Sequence, residues 1–371
     1  GMKYYYNNSG YPNIPKIFLS GIFTLLLMLP LAQGQIFQKE VTYPLNGFWL
    51  GNTLAQSADG DYVVVARSNY ASQWSPYASR FDGLGNHVNS HLIPTVADPN
   101  FNTSVNPRDM ILSNAGGNQE LAIIVSYAQG FGHIYRLDMN TGAIDGKDIS
   151  SSAGNMISPN SVIDVGSGLA IAGSMRVIGN DQVIFTRTDY TGFQFVSRHY
   201  LDNTPGIALR GQCIRQANDG LIIAATSSED DFYLQKIGTY SAPIWANSYN
   251  FDPGTNSNEQ SYSVSVLPGG DYIVGGDFLS TTPERAALMR VNSNGNVVWA
   301  RSYFDSANPF NNAHFTKTLI NTNGNIMMAG TCDDGIILLE IQQNGTPVWG
   351  RIYPDPPFFE EVSLIQTNDG G

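Results

Sequence analysis

The sequence predicts an all-β fold of repeated four-stranded antiparallel sheets, and three observations point to it. A turn ending in glycine recurs at Gly60, Gly116, Gly168, Gly220, Gly270, Gly324 and Gly370, at spacings of 56, 52, 52, 50, 54 and 46 residues. Each turn leads into a short apolar run, and in three units the last strand reads Trp-x-x-x-Tyr. A period of roughly 50 residues with several short strands in each period is the signature of a β-propeller.

The elements of one unit follow in order. Asp-Gly and Asn-Gly close the first turn in Gln56-Ser-Ala-Asp-Gly60, Gln216-Ala-Asn-Asp-Gly220, Asn321-Thr-Asn-Gly324 and Gln366-Thr-Asn-Asp-Gly370, because Gly and Asn tolerate positive φ in tight hairpins. The second strand is then too brief for a helix and rich in β-branched residues: Tyr62–Ala66, Leu169–Gly173, Leu221–Ala225, Tyr272–Gly276 and Ile326–Gly330. A small residue ends each run, as expected where inner strands crowd toward an axis. A third strand and second turn follow at 78–85, 133–142 and 336–345. The fourth strand carries Trp245 with Tyr249, Trp299 with Tyr303, and Trp349 with Tyr353, a spacing that puts both rings on one face against the neighbouring blade. Val196 with Tyr200 stands in the same place in a weaker unit, and Asn89 and Gly146 replace the Trp in the first two.

Six units are complete and a seventh begins before Gly371. Residues 36–43 precede the first full unit in the position of a fourth strand. The sequence therefore predicts seven blades, six full repeats plus a truncated seventh with the N-terminal strand closing the ring; six or eight blades are the alternatives. Closure of that kind removes exposed sheet edges.

The pattern of turn, Asp271-Tyr-Ile-Val-Gly-Gly276, Leu288-Met-Arg-Val-Asn-Ser-Asn-Gly-Asn-Val-Val-Trp299 and Tyr303 resembles secreted bacterial β-propeller repeats of the kind common in Bacteroidota. The resemblance covers about residues 36 to 371 and is tightest in the last three units. A more distant likeness runs to the tryptophan-docking repeats of quinoprotein propellers. The first family implies a surface or extracellular protein without a known reaction, some of whose members end in a sorting domain for type IX secretion; no such domain is visible in this sequence.

Lys3 and Lys16 precede a hydrophobic run at 17–31, and Ala32-Gln33-Gly34 offers small residues for cleavage. Residues 1–34 thus read as a signal peptide and 35–371 as one propeller domain, secreted or at the cell surface and not inserted in the membrane after cleavage. The chain carries 19 Lys and Arg against 31 Asp and Glu, a net charge of −12. So acidic a surface lacks the basic patches that nucleic acid and anionic membranes select. Cys213 and Cys332 fall at different places in units about two blades apart, which predicts two separate thiols rather than a disulfide.

Chemistry is sparsely written. His87 and His91 lie four apart, but no third ligand is near in sequence. Ser293-Asn-Gly-Asn-Val-Val-Trp299 resembles the Asp box of sialidase propellers yet lacks its Asp, and its glycine is one residue too far from the Trp. The vicinal cysteines of many quinoprotein dehydrogenases are missing. The acidic stretches 229–231, 333–334 and 360–361 lack the alternating pattern of a calcium loop; a structural calcium is the one cofactor left open. Tyr70, Trp74 and Tyr77, placed in the loop between the second and third strands of the first unit, are the candidate ligand-binding aromatics. The leading functional expectation is a monomeric, non-enzymatic module that binds a glycan or an extracellular protein. The alternatives are an enzyme, quinoprotein-like dehydrogenase or carbohydrate-active, with its site at the axial funnel, and a structural repeat of a longer adhesin.

Overall fold

The computed structural model of the chain describes residues 49–70, 73–93, 105–114, 120–128, 131–149, 156–177, 180–200, 207–229, 231–250, 259–278, 285–303, 314–332, 334–354, 362–368 and 370. Every regular element among them is a strand, and consecutive groups of four form six antiparallel sheets. Blade 1 holds β1 (Trp49–Gln56), β2 (Tyr62–Tyr70), β3 (Gln73–Phe81) and β4 (His87–Leu92). Blade 2 holds β5 (Asn106–Ser113), β6 (Leu121–Ala128), β7 (Phe131–Asp138) and β8 (Ile144–Ile149). Blade 3 holds β9 (Met156–Asp164), β10 (Leu169–Val177), β11 (Asn180–Thr188) and β12 (Gln194–Tyr200). Blade 4 holds β13 (Leu209–Ala217), β14 (Gly220–Ser227), β15 (Phe232–Ile237) and β16 (Pro243–Tyr249). Blade 5 holds β17 (Glu259–Val266), β18 (Tyr272–Phe278), β19 (Arg285–Val291) and β20 (Val297–Tyr303), and blade 6 holds β21 (His314–Ile320), β22 (Ile326–Cys332), β23 (Gly335–Ile341) and β24 (Pro347–Pro354).

The second strand of each blade opens on an apolar run because it is covered on both faces; every residue of β14 and β18 is buried. Fourth strands such as β4 and β16 form the outer edge and are largely exposed, with Val88, Leu92 and Ile244 open to solvent. Gly60 and Gly270 close their turns at φ 95° and 88°, the left-handed region that the Asp-Gly and Gly-Gly signals anticipate.

The ring has six blades, not the seven expected. Residues 362–368 carry the seventh copy of the first-strand phrase, and Gly370 even closes its turn on Thr367 O at 2.9 Å, but they join no sheet. A lone strand has no ladder partner for its backbone. The expected closing strand at 36–43, like the predicted leader, lies outside the described residues. The segment instead runs between the last and first blades. Thr316 Oγ1 donates to Val362 O at 2.9 Å, and Asn368 donates through its backbone N to Gln56 Oε1 at 2.7 Å and through Nδ2 to Ser57 O at 3.1 Å.

Each of the five junctions from blade 1 to blade 6 holds its own hydrophobic cluster, with side chains from both neighbours. The junction of blade 6 with blade 1 holds none among the described residues. The Trp and Tyr of β16 and β20 pack against the next blade and use their polar ends as well, whereas Trp349 of β24 bonds its own blade. Trp245 Nε1 donates to Ser293 O at 3.1 Å and Tyr249 to Gly295 O at 2.9 Å; Trp299 Nε1 donates to Gln343 O and Tyr303 to Gly345 O, both at 3.0 Å. A cation near the end of each third strand reaches the same turns: Arg80 to Asn140 Oδ1, Arg136 to Tyr190 O, Arg187 to Thr239 O, Lys236 to Ser293 O and Arg290 to Gln343 O. In blade 6 the position is Glu340, which bonds Asn321, Asn325 and Trp349 of its own blade.

Candidate functional site

Each innermost strand carries one β-bulge at the same place, so that Asn52, Arg108, Asn160, Gln212, Tyr262 and Thr316 are the extra residues. A bulge bends the strand and re-aims a side chain. Opposite the six bulges stand Ala66, Ser126, Gly173, Ala225, Gly276 and Gly330. A Cβ on Gly276 would collide with Gln260 O, and one on Gly330 with His314 O. The small residues ending the second strands therefore answer the bulge.

One position beyond the bulge, toward the face where first strands begin, the second strand touches the next blade. Thr226 Oγ1 both accepts from Ser261 N and donates to Ser261 O, each at 3.2 Å. Asp277, its counterpart in blade 5, accepts the Phe315 N–H at 2.8 Å through Oδ1. Its second oxygen is surplus to that task. Oδ2 lies 2.7 Å from Nδ1 of His314, the first residue of β21. The Asp277 side chain is 0% exposed and that of His314 43%, so a fully buried carboxylate orients a ring that solvent reaches. With Nδ1–H donating to the carboxylate, Nε2 is the basic nitrogen. Gln260 pairs directly with Asp277 across the two strands and so shares its face; Tyr262, the bulge residue, donates to Gln260 Oε1 at 2.7 Å. The constellation sits between blades 5 and 6, on the face of the ring where first strands begin.

The other histidines differ. His133 bonds Asp148 at 2.8 Å but its side chain is only 10% exposed, and His91 is engaged by Met139 O. Among the described residues no three His, Cys, Asp or Glu side chains gather as a metal centre would require. Cys213 and Cys332 are separate, buried thiols, as their positions predict.

The candidate aromatics are not in a loop. Tyr70 ends β2, Trp74 is the second residue of β3 and Tyr77 lies farther along it, half-buried, because the two strands pair up to Tyr70 and Gln73 and leave only residues 71–72 between them. β-propensity favours this extension, since aromatic residues suit a pleated strand. The tip of this hairpin lies on the same face of the ring as His314, as does Phe131 at the start of β7, which is 54% exposed. The structure does not bring Tyr77 to that tip.

On that face Asp181 also joins blades 3 and 4, accepting from Arg176 Nε at 2.9 Å and Arg210 Nε at 2.8 Å. Burial pushes its carboxyl up, and the two guanidinium bonds more than offset this, so its pKa is lowered. A depressed carboxylate contributes stability that is present above the unfolded pKa and is lost as pH falls through the folded one. Asp181→Asn is expected to flatten the acid limb of the stability profile below about pH 4 and to leave the profile at neutral pH and above parallel to wild type. Denaturant titrations over a pH series read this directly.

No protein-family model and no curated protein sequence matches the chain. Solved structures do. A puromycin hydrolase superposes with a TM-score of 0.55 at 12% identity, covering 85% of this chain and 49% of its own. Raptor from Chaetomium thermophilum gives 0.54 at 9% identity, covering 82% of this chain and 25% of its own. The periplasmic gluconolactonase PpgL of Pseudomonas aeruginosa gives 0.50 at 11% identity, with 82% and 83% covered. This chain thus spans a quarter of the Raptor chain and about half of the hydrolase. At such identities the likeness shows a shared fold, the β-propeller, and assigns no residue a role.

Proposed function

We propose that the protein is a hydrolase working at the mouth of its axial funnel, with His314 as general base against an ester- or lactone-type carbonyl. The observation that carries this reading is the Asp277–His314 pair. A buried carboxylate that fixes the Nδ1 tautomer and stabilises the imidazolium is what water activation needs. Nε2 takes a proton from water as its oxygen bonds to the carbonyl carbon; when the tetrahedral intermediate collapses, the carbon–oxygen bond to the leaving group breaks and the imidazolium returns the proton to that oxygen. Tyr262 holds the Gln260 amide through its oxygen, on the strand face that Asp277 shares. The names of the gluconolactonase and the puromycin hydrolase agree with hydrolysis, but neither carries the argument. The hydrophobic run after Lys16 supports export, so the substrate is to be sought outside the cell.

A panel of aryl acetates and aldonolactones tests the proposal. His314→Gln is expected to lower kcat about 10³-fold and Asp277→Asn about 10²-fold, with KM little changed. Hydrolysis that survives His314→Gln undiminished, or no hydrolysis of any member, would overturn it. The aromatic hairpins of blades 1 and 2 favour a second reading, a non-catalytic glycan or protein site on this face built on Tyr70, Trp74 and Phe131. Under that reading Trp74→Ala abolishes retention on a glycan array while His314→Gln leaves it intact.

A further inference from the structure

The opposite face of the ring, where first strands turn into second strands, carries a cavity of about 320 Å³ between blades 1 and 2. Its origin lies in the repeat. In the junction of blades 4 and 5, Tyr272 covers the clamp cation, with Lys236 Nζ 5.9 Å from its ring, and Trp245 lies 6.0 Å from the same ring. The residues at the Tyr272 position in the six blades are Tyr62, Ala122, Leu169, Leu221, Tyr272 and Ile326, each pairing with the residue four beyond its bulge. Blade 2 has the smallest. Asn89 likewise stands in blade 1 where blade 4 has Trp245. Both rings are missing here, as they are between blades 2 and 3 and between blades 3 and 4, but those junctions keep Leu169 and Leu221 at the Tyr272 position; only this one is reduced to Ala122, and the cavity opens beside Arg80.

Its chemistry is mixed in a defined way. Val63, Leu112 and Met139 form an apolar wall, while Asp59, Arg80 and Glu120 supply the charges. Arg80 is already held by Asp61 at 2.7 Å, by Asp59 at 2.6 Å and by Asn140 Oδ1 at 2.6 Å. Glu120 adds a third carboxylate to the field of this guanidinium, and its Oε1 accepts only the long 3.3 Å bond from Ala58 N. Asp59 and Glu120 thus line the cavity beside an apolar wall, with Arg80 as its one cation and that cation already held by Asp61 outside the lining. We infer that this cavity binds a small organic cation, an alkylammonium or alkylguanidinium, with its charge against Glu120 and Asp59 and its hydrocarbon on Val63, Leu112 and Met139. The carboxylates exclude anions, and the wall selects a chain over a bare inorganic ion.

Calorimetric titration of the full chain with n-pentylamine, n-pentanol and n-pentanoate tests the inference. Saturable binding of the amine is expected, with the alcohol at least about tenfold weaker and the acid unbound. Glu120→Gln is expected to weaken the amine about tenfold. Ala122→Tyr, which restores the ring found in blade 5, is expected to abolish binding; Ala122→Leu, the residue type of blades 3 and 4, does the same with less bulk should the ring overpack. Equal binding of amine and alcohol, an unaltered Glu120→Gln affinity, or no saturable amine binding overturns the inference. Activity at His314 does not enter these readouts, so the two proposals fail separately.

Discussion

Gly276→Val is expected to destabilise the protein by about 3 kcal/mol or more, because the branched side chain would press on main-chain atoms that no rotamer change relieves. A Cβ at this position would meet Gln260 O and Ser261 Cα, backbone atoms of the bulged strand that has no room to retreat from the next blade. The bulge and glycine are one device. Gly276→Ala is expected to cost less, about 1–2 kcal/mol, because Ala66 and Ala225 already stand opposite the bulges of blades 1 and 4. A midpoint for the valine variant within error of wild type in urea unfolding would show that the bulge is not fixed. Because Asp277 follows directly, the same variant is expected to lose hydrolysis at temperatures where it remains folded.

Trp299→Ala is the second large effect, expected at about 2–3 kcal/mol. Removing the indole empties part of the core between blades 5 and 6, strips the bond to Gln343 O and uncovers Arg301, which stacks 5.8 Å from the ring. Trp349→Ala is the internal control. It occupies the same position in blade 6, yet it is 39% exposed and bonds only Glu340 of its own blade, so its loss is expected to cost below about 1 kcal/mol. Equal midpoint shifts for the two variants would mean that reach to the next blade is not what stabilises these tryptophans.

Much of the architecture is legible in the sequence because it is written in local chemistry. Asp-Gly turns, β-branched runs and Trp-x-x-x-Tyr each report on residues within one hairpin, and among the described residues, which leave out the turn at Gly116, each stands where the spacing puts it. The blade count is not legible, since residues 362–368 carry the same phrase as a true inner strand and only sheet pairing distinguishes the two. Bulges leave no mark in a strand's own text; their trace is the small residue opposite, which the sequence shows but does not explain. Pro76 within β3 is tolerated because it lies just beyond the β3–β4 ladder, which begins at Tyr77 with Leu92, so no ladder bond needs its missing N–H; the proline makes the hairpin of Tyr70 and Trp74 read as a loop. Asp277 and His314 lie 37 residues apart on different blades. Column-by-column comparison of the six units could have found them, since Thr226 and Thr331 stand where blade 5 has Asp.

The clamps and clusters all point one way, from each blade to the next, and stop at Glu340. In space the blades form a ring; among the described residues they form, in energy, a row of nearest neighbours whose two ends are tied across by the strap at 362–368. Such a row has no reason to melt all at once. Cooperativity should decay from the seam inward, so that amides of β1 and β21 exchange with solvent earlier than their counterparts in blades 3 and 4, whose junctions hold cores on both sides.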